Sequence, residues 1–103
     1  MSMLVVMSTF PSADKAAEIA RALVDAKLAA CVNVLPSVRS IYRWQGAVSD
    51  DIEALAIIKT TAERYDALAA MLVSLHPYEV PEIVALPVTT GHAPYLAWLA
   101  ASV

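Results

Sequence analysis

Apolar residues run almost unbroken through residues 3–9, a stretch rich in Val and Met that ends before Pro11 and predicts a buried strand. Beyond it, Ala16, Ile19, Ala20, Leu23 and Val24 recur at helical spacing, while Lys15, Glu18, Arg21 and Asp25 fall on the opposite face. Ser12 is placed to cap that helix, with Asp14 in its first turn near the positive end of the dipole. Residues 30–35 predict a second strand, which Pro36 forces into a bulge or onto a sheet edge. It resumes over residues 37–44, with Arg39, Ile41 and Arg43 on one side and Ser40, Tyr42 and Trp44 on the other. Gln45-Gly46 supplies a turn, and residues 48–60 return as a third strand whose inner half is Ala54-Leu55-Ala56-Ile57-Ile58.

Thr60 and Glu63 have the spacing of a capping box that opens a second helix. Its apolar stripe is Tyr65, Leu68, Ala69 and Leu72, continuing to Leu75. Residues 83–88 predict a fourth strand, and Pro94 suits the first turn of a last helix running through Trp98 and Leu99. No repeat or linker divides the chain, so one domain over residues 1–103 is expected. The order predicts an α+β, ferredoxin-like βαββαβ fold: an antiparallel sheet with helices on one face, a long β-ribbon and a C-terminal helix.

Composition adds a second expectation. The chain is 59% hydrophobic and 17% charged, against about 25% charged in ordinary soluble domains. A domain of this size has too little interior to hide so much apolar area. The arms of the ribbon, about a dozen residues each, also exceed the usual strand length of about five or six, and two helices cannot cover them. The last helix is apolar on nearly every side, as when more than one face is covered. Together these predict a homo-oligomer, with ring or two-fold closure left open. A membrane span is not expected: residues 83–103 contain no Asp, Glu, Lys or Arg, but Pro87, Thr89, Thr90, Gly91 and Pro94 interrupt them. A net charge of −3 with scattered Lys and Arg argues against nucleic acid. The first residues lack the pattern of a secretory signal, and a single cysteine, Cys31, cannot form an internal disulfide. A cytoplasmic protein is the expectation.

The chemistry concentrates in His76-Pro77-Tyr78-Glu79-Val80-Pro81-Glu82. Two prolines stiffen the segment and hold an imidazole, a phenol and two carboxylates in a defined geometry. His76 reads as a metal ligand with Glu79 or Glu82 as co-ligands, or as a cation at the helix end. Glu82 needs a cation or backbone donors, and Lys59 is the expected partner; both would orient an anionic or metal-bound ligand in a cleft between subunits. Cys31 reads as core, and Tyr42, Trp44, Tyr78, Tyr95 and Trp98 as interface aromatics. Asp50, Asp51 and Glu53 read as a solvated acidic face, with weak divalent-cation binding as the alternative. Catalysis is not expected. Gly46 and Gly91 are the only glycines, so no phosphate loop exists, and the pair Asn33 and Arg39 has no glycine-rich anion cradle. His92 has no Ser or Cys nucleophile in sequence reach.

Five stretches taken together resemble one family: Leu28-Ala29-Ala30-Cys31-Val32-Asn33, Ser40-Ile41-Tyr42-Arg43-Trp44-Gln45-Gly46, Lys59-Thr60-Thr61, His76 through Ile83, and Tyr95-Leu96-Ala97-Trp98-Leu99. They look like the signature segments of the CutA divalent-cation tolerance proteins. The resemblance implies a ferredoxin-like subunit, a stable homotrimer akin to the PII signalling proteins, and a cytoplasmic role linked to copper and other divalent metals. It implies no reaction. The expected roles are His76 toward metal, with Lys59, Tyr78 and Glu82 around a ligand cleft; the alternative is a PII-like small-molecule sensor or adaptor with metal binding incidental. Some members carry a Cys in the loop after the first strand and paired His before Pro-Tyr, where this chain has Ser8 and Leu75. Copper(I) prefers soft sulfur ligands, so the Ser8 substitution removes a favoured donor.

Overall fold

A computed structural model describes residues 2–103. The apolar run becomes β1 (Met3–Phe10), followed by α1 (Ala13–Asp25), β2 (Cys31–Trp44), β3 (Ala47–Thr61), α2 (Ala62–Leu75), β4 (Val84–Pro87) and α3 (Ala93–Ala101). The strands form one antiparallel sheet in the order β2-β3-β1-β4. This is the ferredoxin-like arrangement expected from the element order.

Period-two alternation divides the sheet into two faces. Val6, Phe10, Ala54, Ala56 and Ile58 point toward the helices and pack with Ala16, Ile19, Leu23, Leu68 and Leu72 in the core. The opposite residues, among them Val5, Met7, Leu55, Ile57, Val84 and Leu86, lie outside that core, and α3 packs against β3. Leu86 is 50% exposed there.

The helix signals act largely as the spacing predicts. Ser12 Oγ accepts from the Lys15 backbone N–H at 3.1 Å, and α1 ends with the Leu28 and Lys27 amides on the Leu23 and Val24 carbonyls. Lys27 takes φ 57 to close that Schellman-type turn. The capping box is a correction. Strand pairing continues through Thr61, opposite Met3, so Thr60 is still in β3 with the parity of Ile58. Its hydroxyl therefore donates to the Leu28 carbonyl at 2.6 Å, and Thr61 stands at the helix start with no side-chain cap bond.

Between Leu35 and Val38 the register slips, placing the bulge at Pro36 on the edge strand, as its missing N–H requires. Beyond it, residues 38–44 and 47–53 pair as a two-stranded ribbon outside the reach of β1, whose last partner is Ala54. Gln45 (φ 51) and Gly46 (φ 79) close it with the two positive φ values of a type I′ turn. The ribbon stretches the molecule to 44 × 25 × 22 Å and raises the radius of gyration to 14.1 Å, against about 13 Å for a chain of this length. Ile41, Val48 and Ile52 on the ribbon are largely exposed, as are Tyr95 and Trp98 on α3. No helix among the described residues is long and apolar enough to cross a membrane.

Candidate functional site

The stiff connector folds back against the base of the ribbon. Between them lies a cleft of about 970 Å³. Tyr42, Trp44, Asp51, Glu53, Tyr78, Glu79 and Glu82 line it, with Thr9 and Pro11 from the end of β1 and Ile41, Ile52 and Val80 as apolar wall. The lining contains four carboxylates and three aromatic rings, and no Lys, Arg or His.

His76 terminates α2 and organises the connector from behind. Its ring is 8% exposed and stacks on Phe10 at 4.6 Å between centroids, with Tyr78 tilted against it at 4.8 Å. The Tyr78 backbone N–H donates to Nδ1 at 3.1 Å, which fixes the ring proton on Nε2; that N–H donates to the Thr9 carbonyl at 2.8 Å. Both nitrogens are thus engaged, and a metal could reach either only by breaking one of these bonds. Burial lowers the His76 pKa, outweighing the Thr9 carbonyl and the Glu53 charge, which favour the imidazolium.

The sign of the pH effect follows. A histidine with a depressed folded pKa binds fewer protons folded than unfolded, so its contribution is complete above the unfolded value, about 6.5, and is lost as pH falls through it toward the folded value. The His76 ring is expected to titrate below about 6.5 in a proton–nitrogen NMR pH series, with unfolding free energy falling in the same range. A midpoint at or above that value would contradict the buried neutral ring.

Tyr78 reaches across the cleft and donates its phenol to Glu53 Oε2 at 2.6 Å. Burial, followed by this bond to the carboxylate, raises its pKa far above the ordinary phenol range. Tyr42 donates to Asp51 at 2.7 Å, which raises the Tyr42 pKa in turn. Outside the cleft, Asp50 receives a two-pronged contact from Arg39 at 2.7 and 2.8 Å, and this holds its carboxyl below the usual range.

The structure brings Tyr78 and Glu82 together on the cleft but leaves Lys59 away from it. The expected Lys59–Glu82 pair is not formed: Lys59 sits on the face of β3 turned away from the core, opposite Val5 and Cys31, and donates to Asn33 Oδ1. Glu53 is the residue that sequence reasoning missed. The acidic triplet reads as solvated, yet Glu53 is 9% exposed and Asp51 faces Tyr42. Its position just before the buried run Ala54–Ile58 was the available signal. Ser8 shares the helix-facing parity of Val6 and Phe10; it is fully buried and its Oγ has no hydrogen-bond partner among the described residues. Leu75 lies 41% exposed at the end of α2. Among the described residues, no three His, Cys, Asp or Glu side chains converge as a metal-binding group.

Residues 4–102 match the sequence profile of the CutA1 divalent ion tolerance protein family. The chain is 53% identical over 95 residues to the divalent-cation tolerance protein CutA of Thermus thermophilus, covering 92% of each. It is 50% identical over 91 residues to human Protein CutA, covering 88% of this chain and about half (51%) of the human protein. Among solved structures, a Thermus thermophilus divalent cation tolerance protein superposes with a TM-score of 0.94 at 50% identity, over 97% of both chains. CutA1 from Oryza sativa gives 0.96 at 41% identity, covering 99% of this chain and 94% of that one.

Proposed function

Because the chain belongs to the CutA1 divalent ion tolerance family, we propose that it acts as a homotrimeric, non-catalytic metal-ion response protein of the cytoplasm, taking divalent cations at the cleft between ribbon and connector. The observation that carries this reading is the lining of that cleft: Asp51, Glu53, Glu79 and Glu82, with no basic side chain among them. Carboxylate oxygens are hard donors and suit doubly charged cations. The described residues of one subunit assemble no closed donor set, so a cation here draws on neighbouring copies or keeps part of its water shell. His76 enters as the group that positions Tyr78, because both of its nitrogens are already bonded. Glu82 and Glu79 are the exposed carboxylates free to rearrange around an ion.

Calorimetric titration with copper(II) and with manganese(II) tests this. The Glu79→Gln, Glu82→Gln double variant is expected to weaken binding at least about tenfold, since the loss of outer-shell partners alone commonly costs that much. Unchanged affinity in that variant would overturn the assignment of the cleft. His76→Ala is expected to keep the stoichiometry.

One observation favours a second reading, a PII-like sensor or adaptor with metal binding incidental. Tyr42, Trp44 and Tyr78 give the cleft aromatic walls that a bare ion does not use. A thermal-shift screen separates the two: stabilisation by small organic ligands and by no divalent metal supports the sensor.

A further inference from the structure

Lys59 and the carboxylates of the cleft each lack an opposite charge. Lys59 alternates with Leu55 and Ile57 on the face of β3 turned away from the core, and its ammonium has only the neutral Asn33 side chain as acceptor. The ion pairs among the described residues are Lys15–Glu18 and Arg39–Asp50, neither of which involves it. The cleft has the converse deficit. Glu53, nine-tenths buried, is met only by the uncharged Tyr78 phenol, and Asp51, Glu79 and Glu82 around it bring no cation.

These deficits cannot cancel within one chain. Lys59 and Glu53 lie on one strand with the same parity, six residues apart, which at about 3.3 Å per residue is about 20 Å. That is far beyond the reach of a lysine side chain. Moreover, Leu55 and Ile57 between them are apolar and only half-buried, so a second copy covering that surface would bury the ammonium and require an anion for it.

We propose that Lys59 of one copy enters the cleft of the next and supplies the cation that the cleft lacks. This inference rests on the oligomeric reading above. The contact joins two unlike patches, the Lys59 region of one chain and the ribbon–connector cleft of another. Where the rotation between copies closes, such head-to-tail contacts form a ring in which every copy donates one lysine and receives one. The cleft is therefore incomplete in an isolated subunit: in the assembly it presents one ammonium beside four carboxylates and three aromatic rings. Lys59 would then tune how much positive charge the cleft still accepts.

The test is a charge-swap cycle on the full chain, read as the oligomer dissociation constant by sedimentation. Lys59→Glu and Glu82→Lys are each expected to raise that constant at least tenfold. The double variant is expected to return to within about threefold of wild type, although the two residues make no contact within a chain. A second cycle pairs Lys59→Met with Glu53→Gln, with circular dichroism confirming the fold of each variant. Additive effects in both cycles would overturn the contact. Assembled wild type with additive cycles condemns this contact alone, whereas folded wild type sedimenting as a single copy condemns the oligomeric reading itself.

Discussion

Replacing Phe10 with alanine is expected to cost about 3–5 kcal/mol of folding free energy, the largest effect of any single substitution around the site. Phe10 is 1% exposed and ends β1 where the sheet, α1 and α2 meet. Truncation removes its transfer free energy and leaves a cavity that a sheet on one side and helices on the other can close only in part. It also strips the stacked face from His76. Water admitted there would return the imidazole toward its ordinary pKa and loosen the Tyr78 amide bond that aims the connector. Denaturant unfolding would measure the first consequence and the His76 titration the second. A loss below about 1.5 kcal/mol would show that Phe10 does not join the core to the site.

The second large effect is expected in assembly rather than folding. Leu86 lies on the face of β4 turned away from the core, opposite Val5, and half of its surface is in water in the single subunit. Leu86→Asp should therefore fold nearly as well as wild type. If a second copy covers that face, however, the substitution buries an unpaired carboxylate at a cost of several kcal/mol. Each 1.4 kcal/mol is tenfold in affinity, so the dissociation constant should rise about a hundredfold or more. Sedimentation shows this directly, with circular dichroism confirming that the strand survives. A variant that assembles as tightly as wild type would place the covered surface elsewhere.

Local patterning made the fold legible, because each element obeys rules that act over a few residues. Pro36 lacks an N–H, and the bulge and edge position follow wherever the sheet places it. Gln45-Gly46 closes the ribbon through its positive φ values, and Ser12 caps α1 by its own geometry. The failures share a cause: tertiary contacts decided them. Thr60 and Glu63 have capping-box spacing, but the pairing of Thr61 with Met3 keeps Thr60 in the sheet. Glu53 looks like its solvated neighbours until a connector 25 residues away lays Tyr78 on it. Lys59 and Glu82 read as natural partners, conspicuous charges at strand ends, yet Lys59 lies on the face of β3 away from the core and finds Asn33. His76 was recognisable as important, but its role depends on two hydrogen bonds, one of them to Thr9 at the other end of the chain.

The apolar surface that this fold leaves uncovered ties these points together. The outer sheet face, the ribbon flanks and α3 expose Ile41, Val48, Ile52, Val84, Leu86 and Trp98 in a single copy, and clustered apolar surface of this kind marks a contact site. Sedimentation equilibrium of the unmodified chain at micromolar concentration tests that claim most directly. The expected result is one species with the mass of three 11.0 kDa chains, persisting on dilution. A stably folded species at the mass of one chain would contradict it.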